Sequence, residues 1–271
     1  MKSEQFQVHI AVEDHHWWFV GRRRILLDIA SALLPPSADH LVIDVGCGTG
    51  ANAAAFARHY RCVGIDISAE AIEAAKMRFP DVDFICGAAP EALGELAGRA
   101  DLFVVSDVIE HIEDELSFVS DLVIAMKSGA FLVITVPADP ELWTQHDESF
   151  GHFRRYLPDT LREVWSGLPV AEVAVAAFNT RLYGAIKAVR YLNRRLRRTS
   201  GAAGTDFAMP PAPVNLALEK LLGGESGRLV EGVKSGKWRR PNQGVSLLAV
   251  LQRKDGVATR KSRATRQHVT T

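Results

Sequence analysis

The chain has 271 residues, 47% of them hydrophobic, enough to bury one large α/β core, alone or with a cap. Thirty-two basic and thirty-two acidic side chains cancel to zero formal charge, so no global field favours a nucleic-acid partner. The start Met-Lys-Ser-Glu-Gln-Phe-Gln has no signal-peptide core, and no apolar run reaches the ~20 residues that span a bilayer, which points to the cytoplasm.

In chain order, residues 1–40 hold an aromatic and basic cluster from Glu13 to Arg24. It is followed by a helical pattern over 21–34, with Ile25, Leu26, Ile29 and Leu33 on one face and Pro35-Pro36 as its stop. From residue 41 onward, strand-like runs at 41–45, 61–65, 82–85, 101–106 and 130–136 alternate with helix-sized gaps, which predicts a parallel sheet. Ala51 to Tyr60 is alanine-rich; Ser68 is placed to cap a helix that buries Ala71, Ile72, Ala75 and Phe79 and stops before Pro80. Further strands are expected at 170–178 and 244–252. Between them, 181–198 is a basic amphipathic pattern, with Leu182, Ile186, Val189 and Leu196 opposite Arg181, Lys187, Arg190, Arg194, Arg197 and Arg198. The division expected is therefore a lid and first helix over 1–40, a core over 41–180, a helical insertion over 181–243, a last strand over 244–253 and a disordered basic tail over 254–271. Cys47, Cys62 and Cys86 are odd in number and lack a CxxC spacing, so they read as packing residues.

Chemistry concentrates first in Val42-Ile43-Asp44-Val45-Gly46-Cys47-Gly48-Thr49-Gly50, a buried strand ending in an acid and opening into glycines that let a ligand approach the backbone. Gly46-x-Gly48-x-x-Ala51 satisfies the dinucleotide fingerprint, and Asp66 lies 22 residues beyond Asp44, where a ribose-binding acid belongs. Asp44 separates the options. A carboxylate before the loop repels a diphosphate and attracts a ligand carrying an ammonium and a sulfonium, which favours S-adenosylmethionine over NAD(P). Asp66 then accepts from the ribose or caps the helix begun at Ser68, and Ile67 is placed to touch the adenine.

Val42 to Gly50, Val63-Gly64-Ile65-Asp66-Ile67-Ser68 and Val105-Ser106-Asp107-Val108-Ile109-Glu110-His111-Ile112-Glu113-Asp114 together resemble the class I S-adenosylmethionine-dependent methyltransferases, over roughly residues 40–137. Within them the chain looks most like the bacterial small-molecule branch related to the quinone-biosynthesis O-methyltransferases. The resemblance implies a Rossmann-like α/β fold with a helical cap. Its sheet of seven strands runs in the order 3-2-1-4-5-7-6, mostly parallel with an antiparallel last strand. It places Gly46, Cys47 and Gly48 beside the methionine moiety, Asp66 at the ribose, Gly87, Ala88 and Ala89 at the adenine, and Ser106 and Asp107 under the sulfonium. Relatives often carry an acid at the position of Ala88; here the adenine amino group falls to backbone or to Glu91.

Methyl transfer needs a base only for a protonated nucleophile, and His111, just past strand 4, is one candidate. His146 and His152 are rivals, in the dense stretch Trp143 to Tyr156 behind strand 5. There Trp143 and Tyr156 offer an acceptor surface, and Arg154 or Arg155 suits an anionic acceptor; a salt-bridged connection is the plainer reading. The spacing of His146, Asp147 and His152 on an irregular loop is a weak metal signal, so no metal is expected. By the resemblance, the segment around Trp18 folds over the cofactor as a lid, and Trp18 on it is a candidate acceptor-binding residue; Arg22 or Arg23 can neutralise the cofactor's carboxylate, and a hydrophobic staple of the first helix is the alternative. The basic stretch 181–198 suits a pocket lid, a peripheral contact with an anionic inner membrane face, or a solvated surface. The expectation is a methyltransferase acting on a small-molecule or lipid-like acceptor, at oxygen. A nicotinamide-dependent oxidoreductase and a non-catalytic S-adenosylmethionine-binding protein stand as rivals.

Overall fold

A computed structural model describes residues 10–195, 208–236 and 243–256. Among them, seven strands form one sheet: β1 (Ser37–Val45), β2 (Tyr60–Asp66), β3 (Asp83–Cys86), β4 (Leu102–Ser106), β5 (Phe131–Pro137), β6 (Val170–Phe178) and β7 (Ser246–Arg253). Their order is β3-β2-β1-β4-β5-β7-β6, with β7 antiparallel to both neighbours and the other pairs parallel, as the resemblance implied. The β1–β4 register sets Val42 opposite Leu102 and Asp44 opposite Val104, so both strands reach the same carboxyl-end rim.

Strand residues alternate between two cores because successive side chains leave opposite faces of a strand. Ile43, Val45, Phe103, Val105, Leu132 and Ile134 meet a helix at Glu115–Ala125 and the turns around Leu161 and Trp165. Val42, Leu102, Val104, Val133 and Phe178 meet α1 (Trp17–Leu33), α2 (Ala51–Ala57) and α3 (Ala69–Arg78) on the other face. The expected helix over 21–34 begins four residues earlier, because the His16 side chain accepts from the Trp18 amide at 3.3 Å, and it ends before Pro35. Ser68 caps α3 through a 3.2 Å bond from the Ala71 amide.

The segment after β6 divides. A helix at Tyr183–Arg195 leaves Val189, Tyr191 and Leu192 exposed. Two helices, Ala212–Gly223 and Ser226–Ser235, instead join the core through Leu222, Leu229 and Val233. Leu222 lies so close to Gly21 that an added Cβ there would meet it at 2.9 Å, and the Asn215 side chain accepts from the Trp17 amide at 2.9 Å. The second half of the insertion is thus packed onto the first helix rather than standing apart as a cap. Of the basic tail expected over 254–271, all but its first three residues lies outside the described residues, as do Leu196, Arg197 and Arg198.

Candidate functional site

The glycine loop after β1 is held in shape by backbone bonds: the Gly46 and Cys47 amides donate to the Ile65 carbonyl at 2.8 and 3.1 Å. Its glycines do different jobs. Gly46 has φ +68° and a Cβ there would meet Val108 at 2.5 Å; Gly50 has φ +90° and would strike Phe84 at 2.7 Å. Gly48 also has positive φ, +53°, but nothing lies within 4 Å of where its Cβ would be. Gly46 and Gly50 are therefore required by packing, whereas Gly48 faces open space that a ligand can enter. Asp66 ties this loop to the next, accepting from the Gly48 amide and the Ser68 amide, both at 2.9 Å. Beside it Ile67 is 79% exposed, unusual for a large apolar residue. The Gly87 amide donates to the Asp66 carbonyl at 2.9 Å; Ala88 and Glu91 are exposed, and Ala89 leans on the core. Cys47 and Cys62 are buried in the apolar cluster and burial pushes both thiols up, so they act as packing; all three cysteines are free.

Below the loop, charge is buried without full compensation. Asp44 is 1% exposed, its Oδ2 has no hydrogen-bond partner, and desolvation pushes its carboxyl up to about 7 despite Arg22 nearby. Arg22 reaches from α1 to the Asp107 carboxylate in an ion pair, but its Nε is unpartnered, and burial lowers it to about 10. Asp107, at φ +54°, also lies 3.4 Å from the Thr135 hydroxyl, which bonds Ser106 at 3.0 Å. An orphaned acceptor on Asp44, an orphaned donor on the Arg22 that interacts with it, and an open backbone at Gly48 fit the ammonium and carboxylate of an amino-acid moiety. The donor set suits S-adenosylmethionine. A diphosphate would face Asp44.

The structure brings the three candidate histidines together. The rings of His111 and His152 are 4.6 Å apart, centre to centre, and those of His146 and His152 are 6.1 Å apart. His152 Nδ1 bonds Asp147 at 2.9 Å, and His111 Nδ1 lies 3.0 Å from the Phe150 carbonyl. Burial takes His146 down to about 3, so it stays neutral and is a poor base. Close to His111 and His152 lies a residue that sequence reasoning passed over. Glu110 is 1% exposed, neither carboxylate oxygen has a partner, and desolvation pushes it up to about 8. It lies within the motif that follows β4, but no spacing rule marks it as functional. Asn179, buried at the end of β6 with φ +55° and both amide atoms unpartnered, was missed for the same reason.

The remaining candidates brace the rim. Arg155 grips Asp147 at 2.8 and 3.1 Å and the Ala138 carbonyl at 3.0 Å; Arg154 pairs with Glu115 and with the carbonyls of Ile112 and Glu113. Tyr156 is buried, with its hydroxyl 3.4 Å from the Ile109 carbonyl, and the Trp143 indole reaches Glu148 at 3.4 Å. Trp18 stacks on Phe178 at 6.1 Å, with the Arg22 guanidinium 5.9 Å from its ring. Arg23 donates to the Glu13 carbonyl at 2.9 Å.

Residues 42–129 match the family described as a methyltransferase domain. The chain is 27% identical over 138 residues to the ubiquinone biosynthesis O-methyltransferase of Escherichia coli O9:H4 (strain HS), covering 49% of this chain and 58% of that enzyme's length. Its fold is similar to that of the plantazolicin methyltransferase BamL, solved with a triazolic desmethylPZN analog and SAH, at a TM-score of 0.54 and 14% identity over 93% of this chain and 90% of that one. It is similar to the [4+2]-cyclase SpnF at a TM-score of 0.52 and 16% identity, over 86% of this chain and 82% of that one.

Proposed function

We propose, from a core that is a class I S-adenosylmethionine-dependent methyltransferase domain, that the chain transfers a methyl group to an oxygen of a small-molecule or lipid-like acceptor. The observations that carry this reading are the buried, unpartnered Asp44 Oδ2 and Arg22 Nε, and the open space at Gly48 in the loop that follows Asp44. S-adenosylmethionine, when bound, supplies an electrophilic methyl group on a sulfonium. Asp44 would accept from its ammonium, Arg22 Nε would donate to its carboxylate, Asp66 would hold the ribose and Ile67 the adenine. Asp107, held by Arg22 and Thr135, would supply negative charge to the sulfonium. Most of the acceleration comes from alignment in such a site, because the displacement dissipates charge and needs little covalent help.

The acceptor proton goes to the histidine cluster. Asp147 engages Nδ1 of His152, which leaves Nε2 as the basic nitrogen, and His111 stands against it on the same rim as Asp107. Likeness to a ubiquinone biosynthesis O-methyltransferase supports oxygen as the acceptor atom and a partly apolar acceptor. A cyclase with the same fold is a reminder that fold does not set chemistry, so the product must be measured. Calorimetry with S-adenosylmethionine and with NAD, followed by detection of S-adenosylhomocysteine in the presence of cell lipids and metabolites, tests the reading. Saturable NAD binding with none of S-adenosylmethionine would replace it by an oxidoreductase. Undiminished S-adenosylmethionine affinity in Asp66→Ala would remove the ribose assignment.

A peripheral membrane contact is a second reading, favoured by one feature. Helix Tyr183–Arg195 exposes Val189, Tyr191 and Leu192 in a stretch that also carries Lys187, Arg190 and Arg195. Among the described residues no helix is long and apolar enough to cross a membrane, so any contact is at the surface. Co-sedimentation with anionic but not neutral vesicles is expected. Equal recovery with both would dismiss it.

A further inference from the structure

We infer that Glu110, His111 and His152 form a site for a divalent first-row transition-metal ion, which would hold the acceptor oxygen. The inference rests on the methyl-transfer reading only for what the ion does; the site itself stands on geometry. One ligand atom from each of the three residues lies within 4.8 Å of the others. Two ligands sharing an ion at about 2.1 Å are at most about 4.2 Å apart, so a spread within 4.8 Å lies at most roughly 0.6 Å beyond what one ion can bridge.

Three observations make this more than a cluster of polar groups. Glu110 is 1% exposed and neither of its oxygens has a hydrogen-bond partner, so nothing among the described residues compensates its charge at contact distance. Each imidazole is anchored through Nδ1, His152 by Asp147 at 2.9 Å and His111 by the Phe150 carbonyl at 3.0 Å. With the proton on Nδ1, the lone pair of each ring is on Nε2. Carboxylate or carbonyl on one nitrogen and metal on the other is the usual second-shell arrangement. Finally, the two supporting loops are tied together: the Phe153 amide donates to the Glu110 carbonyl at 2.7 Å, and Arg154 binds the Ile112 and Glu113 carbonyls at 2.8 and 2.9 Å. The site is therefore built before an ion arrives.

Two imidazoles and one carboxylate suit zinc, iron(II) or a similar ion better than magnesium, and leave coordination positions open. This trio differs from the His146, Asp147 and His152 spacing visible in sequence. Asp147 is not available as a ligand because Arg155, Thr144 and His152 occupy its two oxygens. An acceptor hydroxyl on the ion would become more acidic and would give its proton to solvent water as the methyl group transfers. His111 and His152 would then hold the ion, and water would replace the imidazoles as the proton acceptor.

The full chain is stripped with a chelator and titrated with zinc alone by calorimetry, and with cobalt(II) by visible absorption. One ion per chain is expected, with affinity reduced at least tenfold in His111→Ala, His152→Ala and Glu110→Gln, and by about 10–100-fold in Asp147→Asn. S-adenosylmethionine affinity, measured on the same variants, is expected within threefold of the parent and reports that they are folded. Stoichiometric binding that survives all four substitutions, or no binding to a parent chain that still takes S-adenosylmethionine, would overturn the site. Metal binding by a parent chain that neither binds S-adenosylmethionine nor forms S-adenosylhomocysteine would uphold the site and sink the methyl-transfer reading instead.

Discussion

Replacing Asp44 by Asn separates what the buried carboxylate does for the ligand from what it costs the fold. Desolvation raises this carboxyl from its ordinary 3.8 to about 7, with Arg22 only partly offsetting it. At about 1.4 kcal/mol for each tenfold change in proton affinity, keeping the anion in the ligand-free protein costs about 4 kcal/mol. The folded state holds its proton more tightly than the unfolded chain. This contribution to stability is therefore present below about pH 4, declines through the interval, and is lost above about pH 7. Asn has nearly the same shape and no charge. Near pH 4 the two proteins should differ little, and at pH 8 Asp44→Asn should be the more stable by up to about 4 kcal/mol. Ligand binding should move the other way, because an unmatched ammonium costs about 2–5 kcal/mol, or roughly 30-fold and upward in affinity. Parent affinity for S-adenosylmethionine should rise with pH up to about 7 and then level off, whereas the variant should show no such rise. Urea unfolding at pH 4.5 and 8, with calorimetry across the same range, reads all of this. A variant less stable than the parent at pH 8, or one that binds S-adenosylmethionine within threefold of it, would refute the reasoning.

The two glycines of the loop should part company. Gly46→Ala meets Val108 at 2.5 Å and should lose stability beyond the about 1–2 kcal/mol of left-handed strain, while Gly48→Ala, open for 4 Å, should keep stability within that strain and lose cofactor affinity; identical behaviour in thermal unfolding and calorimetry would count against the cradle. Arg155→Met leaves the Asp147 side chain, 0% exposed, without its guanidinium and should cost about 3–5 kcal/mol in urea unfolding; a loss under 1 kcal/mol would mean that the loop is held elsewhere. Leu222→Ala, at a site 1% exposed beneath Gly21, should cost about 2–5 kcal/mol, and a loss under about 0.5 kcal/mol would show that helix Ala212–Gly223 is peripheral.

Much of the architecture is written locally. Runs such as Val42–Val45 and Phe131–Val136 are strands buried on both faces, and apolar runs alternating with helix-sized segments leave a parallel sheet as the arrangement that satisfies their backbones. The glycine loop and Asp66 were legible for the same reason. A turn with positive φ at Gly46, Gly48 and Gly50 needs glycine there, and a strand end carrying an acid is a short-range pattern. Boundaries shifted where a cap acted, as at His16, whose side chain starts the first helix ahead of its apolar stripe.

Tertiary structure alone decided which groups meet. His111 and His152 are 41 positions apart and converge because β4 and β5 are neighbours whose following loops share one rim. Glu110 looks ordinary in sequence and becomes exceptional only because folding buries it and provides no partner. Arg154 and Arg155 read equally well as acceptor ligands until their guanidiniums are seen holding Glu115 and Asp147. Local pattern specifies strands, turns and the glycine loop, since those depend on residues within a few positions of each other. What the histidine cluster can do depends on burial and on distances across the rim, which exist only once the sheet has formed.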